Sequence, residues 1–246
     1  RPLADPRTTV RVNDARNDLL VSDDTYDVII SEPSNPWITG PSKLFTREFF
    51  ELARSRLNPG GLLCQWVQLY GLDPDALKTL LRTYAAVFPH RMVFKGSIGD
   101  LLILGSSQLL ALDVDRMTAR MSEPRVQHDL ARVKISAPVD LLVRFRLADA
   151  DIDQYVSAGG IGPDGPLNTD DNALIEFAAA RSLYREDYKA NDVKLAAFGT
   201  TVLPSLLFSD VTGSATRASD LTAGLAERLI NAGLIVRAQA LVDAAT

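Results

Sequence analysis

The segment TYDVIISEPSNPW (residues 25–37) decides the fold and raises the question of function. Its first half, TYDVIISE (25–32), is a run of Val and Ile flanked by polar residues, which is typical of a strand covered on both faces. Its second half, SEPSNPW (31–37), combines a carboxylate, an amide, two prolines and a tryptophan in one loop. A stiff turn needs only one or two such residues. We therefore expect a buried strand whose carboxyl end carries either a functional site or a rigid turn.

Other strands and helices alternate around this segment. Further strands are predicted for TTVRVN (8–13), GLLCQWVQL (61–69), RMVFKG (91–96) and DLLILGS (100–106), the last two as a hairpin. The alternation predicts an α/β fold with a doubly wound, mostly parallel sheet and an antiparallel edge hairpin. Ligands of such sheets bind beyond the carboxyl ends of the strands. The SEPSNPW loop is expected at that rim.

Two helices are predicted between these strands, and both have recognisable starts. The first covers residues 42–58, with Ser42 or Thr46 as its N-cap. The second covers 73–88 and opens with an Asp-Pro pair, which suits the cap and the first helical position.

The pattern changes after about residue 110. Helical segments are predicted at 113–124 and 138–160, and a Gly-, Pro- and Asp-rich loop follows at 160–172. An ordered segment (173–184), a stretch of linker composition (212–220) and a helical end (221–246) come after this loop. The Ala- and Leu-rich end has small residues at helical spacing, as in one unit of a helical repeat array. We predict an α/β domain at 1–110, a mainly helical extension packed on it at 111–211, and a linker with a repeat-like helical hairpin at 212–246.

Composition limits the classes of function. The 246 residues are 46% hydrophobic and 23% charged, which is ordinary for a globular protein. A formal net charge of −5 argues against nucleic acid or an anionic membrane surface as the main partner. A single cysteine, Cys64, excludes an intrachain disulfide, and with only two histidines we predict no metal site. No apolar run approaches the ~20 residues that span a bilayer.

Five motifs follow one another along the chain: VRVNDARNDLL (10–20), YDVIISEPSNPW (26–37), LFTREFF (44–50), LNPGG (57–61) and LLCQWVQLYG (62–71). Their order resembles the central part of the spermidine synthase family, the polyamine aminopropyltransferases. The resemblance covers roughly residues 8–106. It implies a Rossmann-like class I methyltransferase fold and transfer of an aminopropyl group from decarboxylated S-adenosylmethionine to an amine. SEPSNPW with the later LNTDDN (167–172) resembles a bacterial subfamily whose domain is fused to membrane helices or to helical repeats of the tetratricopeptide type.

The resemblance assigns the co-substrate site to Asn13, Asp14 and Ala15, which match the turn after the family's third strand. An Asp there takes the adenine amino group, because a carboxylate accepts hydrogen bonds from an amine donor. Asp14 also suits the N-cap of a helix over ARNDLL (15–20). The two roles are compatible, and both stay open.

Glu32 and Asn35 match the family's paired carboxylates, which gather the cationic amine and help to deprotonate it before attack. In this chain Glu32 keeps a charge, whereas the Asn35 amide can orient an amine and cannot act as a base. The resemblance therefore implies catalytic positions at these two residues with an altered amine substrate; a Pro-rich turn is the alternative. Trp37, Gln65 and Tyr70 are expected to line the amine pocket, with plain packing as the alternative.

Other features leave the function open. The acidic cluster Asn168–Asn172 either reaches the rim or caps the segment that follows it, and Gln68 is a further candidate for the pocket wall. The family's Gly-rich G-x-G-D/E-G loop has no counterpart before residue 8. Three hypotheses remain: an aminopropyltransferase-like transferase, a methyltransferase that uses S-adenosylmethionine, and a non-catalytic interaction module.

Partners and location follow from the same resemblance. A small-molecule amine is the expected substrate, and a homodimer is the expected assembly. We expect a cytoplasmic location, or the cytoplasmic face of a membrane with a tether supplied by a preceding segment.

Overall fold

A computed structural model describes residues 2–159, 162, 164–180, 187–199 and 215–243, and centres on a five-stranded sheet. Its strands are β1 (Tyr26–Ser31), β2 (Leu57–Gln68), β3 (His90–Lys95), β4 (Asp100–Ser106) and β5 (Phe145–Ala148), in the order β1-β2-β4-β3-β5. β1 and β2 run parallel, and the other three neighbouring pairs run antiparallel. The predicted Rossmann-like α/β fold and the hairpin β3–β4 are confirmed. The described sheet has one parallel pair, and the hairpin lies between β2 and β5 rather than at the edge.

Helices cover the sheet and connect its strands. They are α1 (Ala15–Val21), α2 (Arg47–Ser55), α3 (Pro74–Ala85), α4 (Val114–Met121), α5 (Pro124–Ala131), α6 (Pro138–Leu142), α7 (Asp149–Ser157), α8 (Leu174–Ala180), α9 (Asp187–Ala196), α10 (Ala215–Asn231) and α11 (Ile235–Asp243). Short 3₁₀ turns lie at Pro2–Ala4 and Pro41–Phe45.

The predicted helix starts have a physical cause that the structure makes visible. The Asp73 carboxylate accepts a 2.8 Å hydrogen bond from the Ala76 N–H, and Pro74 occupies the first position of α3. Of the two caps proposed for α2, Thr46 is the one used, because its side chain accepts from the Phe49 N–H. Each such cap satisfies a backbone donor that the helix itself leaves unpaired.

Two apolar clusters hold the sheet to its helices. The larger one packs α2, α3 and α7 on one face of the sheet and includes the fully buried Phe50, Leu80 and Tyr84. The Tyr84 hydroxyl donates to the Leu63 carbonyl over 2.9 Å, and its ring lies where a side chain on Gly105 would clash. The second cluster joins β3, β5 and α6 to α10 and α11. Helices near the carboxyl end therefore contribute to the stability of the sheet.

Three predictions about individual elements were wrong. Residues 8–13 form no strand, because no described strand lies beside them to pair with their backbone, and Val12 is 99% exposed. Residues 145–148, predicted as helix, form β5, because they pair with β3 and all four are buried. Residues 215–220, predicted as part of a linker, lie in α10, whose first turns are built from residues compatible with a helix.

The cover predicted for both faces of the first strand was also wrong. Val28 and Ile30 are 50% and 72% exposed. β1 is the edge strand of the described sheet and pairs only with β2. Residues 181–184 of the predicted ordered segment and 212–214 of the predicted linker lie outside the described residues. The repeat character of the α10–α11 pair stays a prediction. Within the described ranges, no helix combines the length and apolarity needed to cross a bilayer.

Candidate functional site

The loops after β1 and β2 leave the sheet side by side. The two strands are parallel, and Ser31 lies opposite Gln65 in the register. Carboxyl ends of parallel neighbours lie at the same edge of a sheet. The SEPSNPW loop and the segment Gln68–Gly71 therefore meet at one rim.

Asn35 is the centre of a polar contact at this rim. Its side-chain oxygen accepts a 2.6 Å hydrogen bond from the Gln68 amide and a longer one, 3.4 Å, from the Tyr70 hydroxyl. The Gln68 side chain is almost fully buried, and its own oxygen has no donor in the described part of the chain. A buried acceptor without a partner costs about 1–3 kcal/mol, so this atom is suited to a ligand donor.

Trp37 closes one side of the rim. Its ring meets the Tyr70 ring edge-on, with the centroids 6.0 Å apart, and it also packs on the large apolar cluster. A Cβ on Gly71 would lie 2.7 Å from the Trp37 ring, so the ring rests on the Gly71 backbone. The packing alternative for Trp37 is therefore confirmed, and its role as a wall of the amine pocket stays a prediction.

Gln65 lies apart from these residues. It is fully buried, and its amide donates to the Trp66 carbonyl. Side chains alternate along a strand, so Gln65 shares the face of Val67 in the core, whereas Gln68 points to the other face. The structure brings Gln68 next to Asn35 and does not bring Gln65 there.

Glu32 is exposed at the start of the loop and makes no hydrogen bond or ion pair with the described residues. Its charge reaches Cys64 on β2: burial first and the Glu32 carboxylate second raise the pKa of the Cys64 thiol. A thiol held protonated in this way is a poor nucleophile. Glu32 is the residue of this loop whose negative charge could attract a cationic ligand.

Asp14 caps a helix and also faces a cavity, while its adenine contact stays a prediction. One carboxylate oxygen caps α1 by accepting from the Asn17 N–H over 2.8 Å. Asp14 also lines a cavity of about 660 Å³ together with Thr39 and Leu44. Asn13 and Ala15 line a different cavity of about 300 Å³ beside β1, so the three predicted co-substrate residues are divided between two spaces.

An ion pair that was not predicted from the sequence borders the larger cavity. Arg16 of α1 holds Asp170 with two hydrogen bonds of 2.8 and 2.5 Å, and its guanidinium keeps the pKa of that carboxyl below the usual range. Asp170 also accepts from the Thr46 hydroxyl. Such bidentate pairs fix geometry as well as charge. The two residues are 154 positions apart, and no local pattern links them.

For the cluster Asn168–Asn172 the capping alternative is confirmed at Asn172, and contact of the cluster with the ligand rim stays a prediction. Asp170 lines the cavity that Asp14 lines. Asn172 accepts from the Leu174 N–H at the start of α8 and exchanges bonds with Thr169. Asn168 is buried between α2 and α3. In the part of the chain that the structure describes, no group of three or more His, Cys, Asp or Glu side chains is placed to hold a metal ion.

A sheet whose parallel strands end in polar loops, with a capped helix and a cavity beside them, defines the Rossmann-like class of α/β ligand-binding domains. Residues 2–99 match the family model described as spermine/spermidine synthase domain. This part of the chain is similar to the spermine/spermidine synthase family.

Curated proteins show the same similarity. Polyamine aminopropyltransferase 2 of Pseudomonas aeruginosa is 31% identical over 158 residues, which are 58% of this chain and 45% of the relative. Spermidine synthase 1 of Pisum sativum is 34% identical over 97 residues, 39% of this chain and 27% of the relative. Putrescine N-methyltransferase 2 of Nicotiana tabacum is 34% identical over 96 residues, 38% of this chain and 25% of the relative. The chain spans less than half the length of each of these relatives.

Proposed function

We propose that this chain carries the amine-binding rim and part of the co-substrate cavity of an aminopropyltransferase-type enzyme. The observation that carries the proposal is the buried side-chain oxygen of Gln68, which lacks a donor while its amide is held by Asn35. An amine or ammonium group supplies N–H donors and no acceptor of its own when charged. Because residues 2–99 match the spermine/spermidine synthase domain, an amine is the first candidate for the substrate.

In this proposal the residues of the rim divide the work on the amine. Gln68 accepts a hydrogen bond from the amine, and Asn35 fixes the Gln68 amide. Trp37 and Tyr70 supply an aromatic wall suited to the alkyl part of the amine and, through their ring faces, to its positive charge. Glu32 supplies the negative charge, and it is the group able to take a proton.

The proposed reaction is a displacement at carbon. The lone pair of the neutral amine forms a C–N bond to the propyl carbon next to the sulfonium of decarboxylated S-adenosylmethionine, the C–S bond breaks, and the sulfur leaves as the thioether of methylthioadenosine. The surplus amine proton passes to the Glu32 carboxylate and then to water. Holding the two reactants in line supplies much of the rate in such a step.

The co-substrate side rests on Asp14. One of its carboxylate oxygens is used by the helix cap, and the other is available to an amino donor in the 660 Å³ cavity. We assign the adenine contact to that second oxygen. Asn13 and Ala15 would then support the turn from the side of the smaller cavity.

Calorimetry with methylthioadenosine tests the co-substrate assignment. Asp14→Asn keeps a good N-cap residue and removes the charged acceptor, whereas Asp14→Ser keeps an N-cap residue and shortens the side chain. We expect about tenfold weaker binding in both variants, since a hydrogen bond to a charged group contributes about 1.5–3 kcal/mol. Equal affinity in wild type and both variants would remove Asp14 from the site.

Methyl transfer is the second candidate, and the likeness to putrescine N-methyltransferase 2 favours it. Incubation with an amine and each sulfonium donor, followed by mass spectrometry of the product, separates aminopropyl from methyl transfer. Binding without turnover of either donor would favour the non-catalytic module. Membrane attachment and homodimer formation stay predictions, which flotation with lipid vesicles and light scattering test.

A further inference from the structure

Glu176 of α8 reaches back to the loop that follows the SEPSNPW segment. Its two carboxylate oxygens accept hydrogen bonds from the Thr39 hydroxyl, at 2.7 Å, and from the Ser42 hydroxyl, at 2.6 Å. These residues are 137 and 134 positions away in sequence. Glu176 lies outside residues 2–99, to which the family match extends.

Among the described residues, Arg16 also holds this loop, because its guanidinium donates a 3.0 Å hydrogen bond to the Lys43 carbonyl. The loop's own backbone bonds are short-range: the Ile38 N–H donates to Asn35, Ser42 to Ile38, and Lys43 to Gly40. Gly40 has φ +101°, and nothing lies within 4 Å of the place where its Cβ would be. A segment of this kind, with local bonds and open surroundings, depends on long-range contacts for a fixed position.

The same loop forms one wall of the cavity that Asp14 lines. Thr39, Gly40, Pro41 and Lys43 all face this space of about 660 Å³. A shift of the loop therefore changes the width of the cavity directly.

Glu176 is itself attached to the core. Asn168, at the start of its segment, is 1% exposed and uses all its groups: the backbone N–H donates to the Thr83 hydroxyl, the side-chain amide donates to the Phe45 carbonyl, and the side-chain oxygen accepts from Ile175. The residue before Glu176 is thereby tied to α3 and to the start of α2. Because the backbone beside Glu176 is fixed in this way, its carboxylate can position a loop.

We propose that Glu176 is a positioning residue that holds the Thr39–Ser42 loop as the cavity wall opposite Asp14. Its effect on ligand binding rests on the proposed function, whereas its effect on the loop does not. The hydrogen bonds from Ser42 and Thr39 also lower the pKa of Glu176, as expected for a carboxylate that both hydroxyls stabilise in its charged form.

Three variants of the full chain test this. Glu176→Ala removes both acceptors, and Glu176→Gln keeps one acceptor and offers a donor to the other hydroxyl, so it should rescue most of the effect. Asp171→Ala is the matched control, because Asp171 is an exposed carboxylate of the same segment without a hydrogen bond or ion pair to the described residues.

Hydrogen exchange of residues 38–43 reads the loop without any ligand. We expect faster exchange there in Glu176→Ala, unchanged exchange in β2, and wild-type behaviour in Asp171→Ala. Unchanged exchange in Glu176→Ala overturns the proposal. Should that variant fail to fold, Thr39→Val with Ser42→Ala removes the donors from the loop side and gives the same readout.

Methylthioadenosine affinity reads the cavity. Loss of the two bonds should weaken binding about tenfold in Glu176→Ala and by less than about threefold in Glu176→Gln. Faster loop exchange with unchanged affinity overturns the role at the cavity. A wild-type protein that binds no methylthioadenosine contradicts the proposed function, and the exchange result then decides the positioning role alone.

Discussion

The side-chain oxygen of Asn35 accepts a 2.6 Å hydrogen bond from the amide of Gln68, across the two loops that end the parallel strands β1 and β2. Where the family pattern has a second carboxylate, this chain has an amide that fixes a neighbouring amide. This hydrogen bond uses the Gln68 amide, while the Gln68 side-chain oxygen stays buried without a donor among the described residues. The negative charge in the SEPSNPW loop is that of Glu32.

Asn35→Asp should strengthen the binding of a diamine. The new carboxylate keeps the acceptor for Gln68 and adds a charge beside the amine, and charge-assisted bonds are about twice as strong as neutral ones, so we expect roughly tenfold lower KM for putrescine. Initial rates with decarboxylated S-adenosylmethionine measure it. Ser34→Asp, on the same loop and exposed, is the control for added charge alone. An equal gain in both variants would argue against a specific site at residue 35.

Gln68→Leu should separate stability from binding. The substitution removes a buried oxygen without a donor and one hydrogen bond, so the free energy of unfolding should change by less than about 1 kcal/mol. Amine affinity should fall at least about fivefold, because the proposed acceptor is gone. Urea unfolding and amine titration give the two numbers. A stable variant with unchanged amine affinity would contradict the assignment of Gln68.

Gly71→Ala should displace Trp37. Gly71 has φ +66°, and its added methyl group would lie 2.7 Å from the Trp37 ring. Gly159→Ala is the matched control, because Gly159 has φ +68° and no described residue lies within 4 Å of its Cβ position. We expect both to lose about 1 kcal/mol through the backbone conformation, and Gly71→Ala to lose about 1–3 kcal/mol more through the clash.

Fluorescence reports the same displacement. The chain has two tryptophans, so the measurement is made in a Trp66→Phe background, where Trp37 is the remaining tryptophan and is excited selectively over the tyrosines. Its emission should move to longer wavelength in Gly71→Ala and stay unchanged in Gly159→Ala. Identical spectra and equal stability losses would mean that the ring adapts without cost.

Asp151 should make the free energy of unfolding depend on pH. Its side chain is fully buried, one oxygen accepts from the Ala148 N–H, and burial raises its pKa from 3.8 to about 6. The folded state therefore binds the proton more tightly than the unfolded state, so this contribution is present at low pH and is lost as pH rises from about 4 through 6.

Urea unfolding of Asp151→Asn and wild type between about pH 4 and pH 8 measures that contribution. Relative to the variant, wild type should lose up to about 3 kcal/mol over this range. Asp171→Asn should follow the wild-type curve. Parallel curves for wild type and Asp151→Asn would contradict the raised pKa.

The sequence predicted the elements whose signals are local. The Val–Ile run gave β1, Asp73 with Pro74 gave the start of α3, and the apolar spacing gave α2. The predictions failed where pairing with a distant strand decides the secondary structure. Residues 8–13 have the β-branched composition of a strand and no described strand beside them, while Phe145–Ala148 pair with β3 despite the helices around them.

The candidate site divides along the same line. Asn35, Trp37 and Tyr70 could be selected from motif and position, and they lie together at the rim. Gln65 and Gln68 differ by three positions, so strand alternation places them on opposite faces, and Gln68 is the one that contacts Asn35. The predicted place of Gln65 in the amine pocket stays a prediction. Arg16 and Glu176 carry no local signal, because their partners are more than a hundred positions away.

Those distances have a consequence for how the protein is made. Synthesis proceeds from the amino end, and Thr39 and Ser42 leave the ribosome more than 130 residues before Glu176. We therefore expect the sheet to form first and the cavity wall to settle last, after residues 168–176 have emerged and docked. Pulse-labelled hydrogen exchange during refolding should show residues 38–43 becoming protected after β2 and β4; simultaneous protection would show that the wall is set by the loop itself.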